Sequence, residues 1–261
     1  MSVEFEIKDL LIRLWHEKLL DDCKNPLNKH AYQCFSQSDE DGITLEIVRR
    51  LGIEKGTFCE FGVEDGLQNN SLILLASKWK GFWIDCKNTG LSITDTPKFS
   101  FIKEFVTTEN VVSIVNSQKS KFNNIDLISI DLDGNDIHIL RELLKSNILP
   151  PVYIVEYNSK FTPGIFFEIE YDEDFAWKFD DYFGASLSSF VETFSEYGYT
   201  LVCCNLYTGS NAFFIKNEFM HLFSDVPSSI EDLYIKPRFH LYEMNGHRTS
   251  LKTVEKFILD L

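Results

Sequence analysis

The chain predicts an α/β protein: a mostly parallel sheet with helices on both faces, closed by an antiparallel hairpin near its C-terminal end. Three observations predict it. Short apolar runs end in glycine or acidic residues, as in Thr57-Phe-Cys-Glu-Phe61-Gly62 and Gly81-Phe-Trp-Ile-Asp85. Stretches with helical spacing of apolar residues separate these runs, and the alternation recurs until about residue 156. Strands buried on both faces read as continuous apolar runs, and parallel neighbours need a crossover helix between them.

In chain order, residues 1–22 predict a helix, because Leu10, Leu11, Leu14, Trp15 and Leu19 recur at its period. The polar stretch Phe35-Ser-Gln-Ser-Asp-Glu-Asp-Gly42 predicts a loop, and Ile43 to Leu51 a helix stopped by Gly52. Strands are expected at 57–61, 81–85, 100–106, 125–131 and 151–156, with helices at 67–79, 110–117 and 137–146 between them. Residues 157–181 are acidic and aromatic and predict a lid or substrate loop. Gly184-Ala-Ser-Leu opens a helix running to Tyr197, and 199–204 with 211–215 form the hairpin. Residues 217–261 read as a polar tail with a final helix from Leu251 to Leu261. The domain division is therefore an N-terminal helical extension at 1–32, one domain at 33–216 with its lid at about 157–183, and a C-terminal extension at 217–261.

The 261 residues carry 25 Lys+Arg against 40 Asp+Glu, a net charge of −15, and 44% of them are apolar, which is the composition of a folded, soluble protein. The acidic balance excludes a nucleic-acid backbone or an anionic membrane as the natural partner, since both need a basic surface. The six cysteines form no CxxC pair and several lie in apolar runs, so reduced thiols in a cytoplasmic protein are expected. The N-terminus carries acids where a signal peptide carries bases, and no apolar run approaches membrane-spanning length. The oligomeric state stays open, a homodimer included.

In a parallel sheet, ligands sit beyond the carboxyl ends of the strands. The first strand ends Glu60-Phe-Gly62-Val-Glu-Asp65-Gly66, where the glycines let a ligand approach the backbone and the acids meet a cation or hydroxyl. A GxGxxG fingerprint is absent, and acids in this turn would repel a pyrophosphate while attracting the ammonium of an amino-acid cofactor. Asp85, roughly twenty residues further on, is placed for the two hydroxyls of a ribose. Glu60, Gly62, Asp65, Gly66 and Asp85 thus outline a pocket for a cationic adenosyl amino acid. The alternative is that the glycines form turns and the acids are solvated.

This pattern resembles the class I S-adenosylmethionine-dependent methyltransferases, with their Rossmann-like fold. The segments 35–42, 58–66 with Asn69-Asn70, 129–136, Val155-Glu-Tyr-Asn158, Gly184-Ala-Ser186 and Asn211-Ala-Phe-Phe214 together resemble the FkbM-like group of bacterial surface-glycan methyltransferases, in the same order over about 33–216. The resemblance implies O-methylation of a sugar or sugar-nucleotide hydroxyl in capsule or lipopolysaccharide synthesis. It carries Glu60, Gly62 and Asp85 over to the cofactor and places Glu104 and Phe105 near the adenine. Gln37, Asp41, Asn69 and Asp131 complete the expected cofactor set.

Asp131 and Asp133 are two residues apart, as are Glu156 and Asn158, so each pair can point to one side of its strand. Clustered carboxylates need protons, basic partners or a metal to relieve their repulsion. A divalent cation (Mg²⁺, Mn²⁺ or Fe²⁺) on Asp131, Glu156 and Asn158 would do so, a set similar to the acid-acid-Asn site of catechol-type O-methyltransferases. The other reading has Asp131 binding the cofactor, Asp133 and Asp136 capping the next helix and Asn158 making a turn. Asp133 and His138 are the candidate bases, while Phe239-His-Leu-Tyr242 and Asn245-Gly-His-Arg248 are tail segments that could cover the pocket. A diphosphate-bearing substrate would call on Lys160, Lys178, Lys236, Arg238 or Arg248. Two rival functions are a nucleotide-dependent sugar oxidoreductase, which needs phosphate-binding glycines, and a non-catalytic cofactor-binding protein of the same fold.

Overall fold

The computed structural model describes residues 3–238 and 251–259. Seven strands form one sheet: β1 (Thr57–Phe61), β2 (Lys80–Asp85), β3 (Phe99–Lys103), β4 (Leu127–Ile130), β5 (Val152–Glu156), β6 (Tyr199–Cys204) and β7 (Asn211–Lys216). Their order across the sheet is β3-β2-β1-β4-β5-β7-β6. The first five are parallel to one another, and β7 runs antiparallel to both β5 and β6. This is the predicted Rossmann-like α/β fold, with the hairpin inserting its second strand beside β5. The order reverses between β1 and β4, so the carboxyl ends of those strands flank the crevice where such folds bind ligands.

Eight α-helices are described: α1 (Val3–Asp22), α2 (Glu40–Arg50), α3 (Leu72–Ala76), α4 (Val111–Ser117), α5 (Asp136–Lys145), α6 (Leu187–Ser195), α7 (Ile230–Leu233) and α8 (Leu251–Leu259). The strand alternation sorts them into two layers. Cys59, Phe61, Phe82, Ile84, Ile128, Ile130, Tyr153 and Val155 face α4, α5 and α6. Phe58, Trp83, Leu127, Ile154 and Phe213 face α2, α3 and α8. Glu60, Asp85 and Glu156 have the parity of this second set, so three acids from three strands share one face of the sheet.

Two segments depart from the sequence reading. The helix expected at 67–79 is only Leu72–Ala76, because Glu64 and Gly66 take left-handed backbone before it and Lys78 after it. The helix α2 starts within the stretch read as loop, since Asp39 to Asp41 are buried and hydrogen-bonded, not solvated. The helix expected at 1–22 forms as α1; of its periodic apolar residues, Leu10, Leu11, Leu14 and Trp15 are 42–56% exposed and Leu19 is buried. The final helix expected from Leu251 to Leu261 forms as α8, and Phe223, Leu233, Val254 and Ile258 are buried in the two cores. His240, His247 and Arg248 lie outside the described residues. All six cysteines are free thiols, and no helix among the described residues is long and apolar enough to cross a membrane.

Candidate functional site

At the carboxyl end of β1 the chain must pass very close to β4. A Cβ on Gly62 would stand 1.6 Å from the Asp131 carbonyl oxygen, and its φ of +78° is one that side chains disfavour. Gly62 is therefore needed first for strand contact. Gly66, at φ +73°, turns the loop under the Trp83 ring.

Glu60 points inward, at 1% exposure. Its carboxylate accepts from the Asn70 and Ser71 backbone N–H groups at 2.7 and 2.9 Å and from the Ser71 hydroxyl, which in turn accepts from Trp83 Nε1 at 2.8 Å. The sequence assigned Glu60 to the cofactor; the structure makes it the carboxylate that caps the start of α3. This has a chemical consequence. The amides that a pyrophosphate would use after β1 are already bonded to an acid, which burial pushes up to about 7.

Asp85 joins two loops: its oxygens accept from Glu64 N and Lys87 N, both at 2.7 Å. Each carboxylate oxygen keeps a second lone pair, so the geometry leaves acceptor capacity for hydroxyls. Glu104 follows β3 closely, its N–H donating to the Asp85 carbonyl at 3.0 Å, and Phe105 beside it is 49% exposed. Asp65 is exposed and accepts from Leu67 N. Asn69 is buried at 5% exposure with neither amide atom hydrogen-bonded, an arrangement a ligand or water would relieve. Gln37 is exposed, and only its backbone carbonyl is engaged, by Gln33. Asp41 folds the preceding loop, one oxygen accepting from Cys34, Phe35 and Ser36 N at 2.6–2.8 Å.

Between β4 and β5 the acids converge. Asp131, Asp133 and Glu156 each offer a carboxylate oxygen, all within 4.8 Å of one another. Burial, then the surrounding acids, pushes Asp131 and Glu156 well above the usual carboxylate range. Asp133 is raised less steeply, by burial and by Glu64, with Lys87 opposing. Its φ of +57° is a strained backbone that turns the chain between the two flanking loops. Asp131 and Glu156 are half-buried and Asp133 is exposed, and three mutually repelling hard oxygen donors of this kind fit a divalent cation such as Mg²⁺ or Mn²⁺.

The predicted metal and base sets change in detail. Asn158 is 1% exposed and its Nδ2 donates to the Asp181 and Phe183 carbonyls at 2.9 and 3.0 Å, so it closes the lid, and Asp133 takes the third place in the cluster. The Tyr157 interruption sends Asn158 off the strand, where the parity argument no longer holds. His138 lies outside the cluster; its Nε2 donates to the Ile169 carbonyl at 2.8 Å and its ring meets Tyr171 edge-on, tying α5 to the lid. Asp136, the first residue of α5, accepts from Leu132 N and Gly134 N and so folds the preceding loop; it does not cap the following helix as the second sequence reading expects.

Sequence reasoning missed the buried network behind this cluster. Asn70 Nδ2 donates to the Ser129 hydroxyl at 3.1 Å, and Asn211 Nδ2 to Glu40 at 3.1 Å. Burial and the adjacent Asp39 push Glu40 up to about 7. Asn211 is the register partner of Glu156 on β7, which links them spatially. Nothing in the spacing of residues 40, 70 and 211 announces it.

A seven-strand sheet of this order, with its last two strands antiparallel and carboxylates gathered at the ends of β1, β2, β4 and β5, defines a Rossmann-like α/β protein. No family model matches the chain, and no curated protein matches it in sequence. Among solved structures it is similar to the MycE methyltransferase of the mycinamycin biosynthetic pathway, in complex with Mg, SAH and mycinamycin VI, at 15% identity and TM-score 0.35. That overlap covers 66% of this chain and 45% of MycE, so the chain spans less than half of MycE's length. Two proteins described as hemolysins overlap more widely: one from Lactococcus lactis (12% identity, TM-score 0.42, 82% of this chain and 93% of that one) and one from Streptococcus thermophilus (14%, 0.43, 88% and 78%).

Proposed function

We propose that this chain is an S-adenosylmethionine-dependent O-methyltransferase acting on a hydroxyl of a sugar or sugar nucleotide, in the cytoplasm, for bacterial surface polysaccharide. The observation that carries the reading is the placement of Asp133. It belongs to the carboxylate cluster with Asp131 and Glu156, and it also feels the charges of Glu64 and Asp85 on the loops beyond β1 and β2. A donor held at Asp85 and an acceptor held at the cluster would therefore meet at one residue.

S-adenosylmethionine supplies an activated methyl on a positively charged sulfur, and the acidic strand ends favour that charge. Asp85 would hold the ribose hydroxyls, and the orphaned Asn69 amide would find partners in the bound cofactor. Transfer is a single in-line displacement: the acceptor oxygen gains the methyl, the carbon–sulfur bond breaks, and the hydroxyl proton passes to Asp133. Positioning the reacting atoms within about 3–3.5 Å supplies much of the rate. A divalent cation held by Asp131 and Glu156 would relieve their repulsion and lower the pKa of the acceptor hydroxyl, leaving Asp133 to take the proton.

The oxidoreductase alternative loses ground at Glu60, whose carboxylate already holds the amides that open α3. Calorimetry with S-adenosylhomocysteine and with NAD separates the two: the proposal requires binding of the first and not the second. Turnover against sugar and sugar-nucleotide acceptors should fall in excess EDTA, and full activity there removes the metal. Asp133→Asn should lower kcat by roughly 10²–10⁴; unchanged turnover removes the base.

A further inference from the structure

The lid is attached at both ends to the loops that carry the carboxylate cluster. Gly134, next to Asp133, lies directly under the Phe175 ring, and Asn135 exchanges hydrogen bonds with the Asp172 backbone. Asn158, just past Glu156, holds the Asp181 and Phe183 carbonyls. Residues 176–183 carry four aromatic rings, and three of them meet at Trp177. Trp177 sits 4.9 Å from Phe179 and 5.2 Å from Phe183, with interplanar angles of 42° and 47°, and its Nε1 donates to the Asp180 carbonyl at 2.8 Å. Phe179 is 85% exposed on a left-handed backbone, φ +61°. A bulky side chain in that conformation costs stability, and at this exposure its ring returns little to folding. Such strain is retained where the side chain has another use.

We propose that Trp177, Phe179 and Phe183 form a shelf on which an uncharged sugar ring of the acceptor stacks, so that the acceptor is a neutral glycoside or oligosaccharide and not a sugar nucleotide. This deepens the methyltransferase reading and relies on it only for the reaction. The charge around the shelf selects against phosphate: between residues 157 and 183 there are seven acids against Lys160 and Lys178, and Lys160 is paired with Asp181. The apolar face of a pyranose presents C–H groups to aromatic rings, and its hydroxyls find acceptors in surrounding carboxylates. Trp177 is tilted by 42° and 47° to the two phenylalanine rings and Phe179 is 85% exposed, so ring face is left open to a sugar.

Saturation-transfer NMR with neutral methyl glycosides and short oligosaccharides tests the shelf, with UDP-glucose and choline as competing probes and S-adenosylhomocysteine calorimetry as a separate arm. Glycoside binding is expected in the unmodified protein and should weaken roughly tenfold or more in Trp177→Ala and in Phe179→Gly. Phe179→Gly should also raise the melting temperature, because glycine relieves the left-handed strain, so weaker binding there cannot come from unfolding. Undetectable glycoside binding, unchanged affinity in both variants, tighter binding of UDP-glucose than of methyl glucoside, or displacement by choline would each overturn the proposal. Glycoside binding without S-adenosylhomocysteine binding would sink the cofactor reading and leave the shelf standing; the reverse result would do the opposite.

Discussion

Gly62 shows how closely the strand ends approach one another. Its hydrogen faces the Asp131 carbonyl, and a methyl there would overlap that oxygen while φ stays positive. Gly62→Ala should therefore cost about 3 kcal/mol or more in a denaturant titration, from strain and overpacking combined. A loss below about 0.5 kcal/mol would mean that the strand ends relax apart easily. Asp133 and Asn158 sit at the same level of description but were differently legible. Acids two residues apart announced a cluster, and the structure has one. The identity of its third member depended on where the chain leaves β5, and that is set by the lid.

At the scale of elements, the lid is held by side chains from two others. Arg141 on α5 pairs with Glu168, His138 holds the Ile169 carbonyl, and Asn158 holds two more carbonyls. Asn158→Ala leaves both carbonyls without their donor and should cost about 2 kcal/mol. Limited proteolysis should then cut first within residues 176–183, and an unchanged cleavage pattern would contradict the clamp. The short α3 belongs here too. Its five residues leave a helix start with few amides of its own to protect, and Glu60 from the neighbouring strand caps it.

Over the whole molecule, buried acids set the response to pH. Burial raises Glu40 and Glu60 from an ordinary value of 4.5 to about 7. The folded state thus holds protons that the unfolded chain releases, so stability should fall as pH rises from 4.5 to about 7 and level off above that. For Glu60 alone the full effect is on the order of 3 kcal/mol. Melting temperatures measured across this window should decline, less so in Glu60→Gln at its own lower baseline; a rise would reverse the sign of the account. The lid and strand ends also make the molecule's charge uneven, with acids gathered where the acceptor would enter.

The sequence alone determined the layered α/β architecture, because apolar runs and helical spacing are local signals that need no partner to be read. It also determined that acids crowd the carboxyl ends of the strands, since glycine turns follow β1, the acids Asp131 and Asp133 follow β4, and Glu156 ends β5. Tertiary structure decided which way those acids face. Glu60 turns inward because its strand parity aims it at α3, Asn158 is claimed by carbonyls more than twenty residues away, and Glu40 reaches Asn211 across the sheet. A hydrogen bond between distant segments leaves no spacing in the sequence, so only the assembled fold could assign those roles.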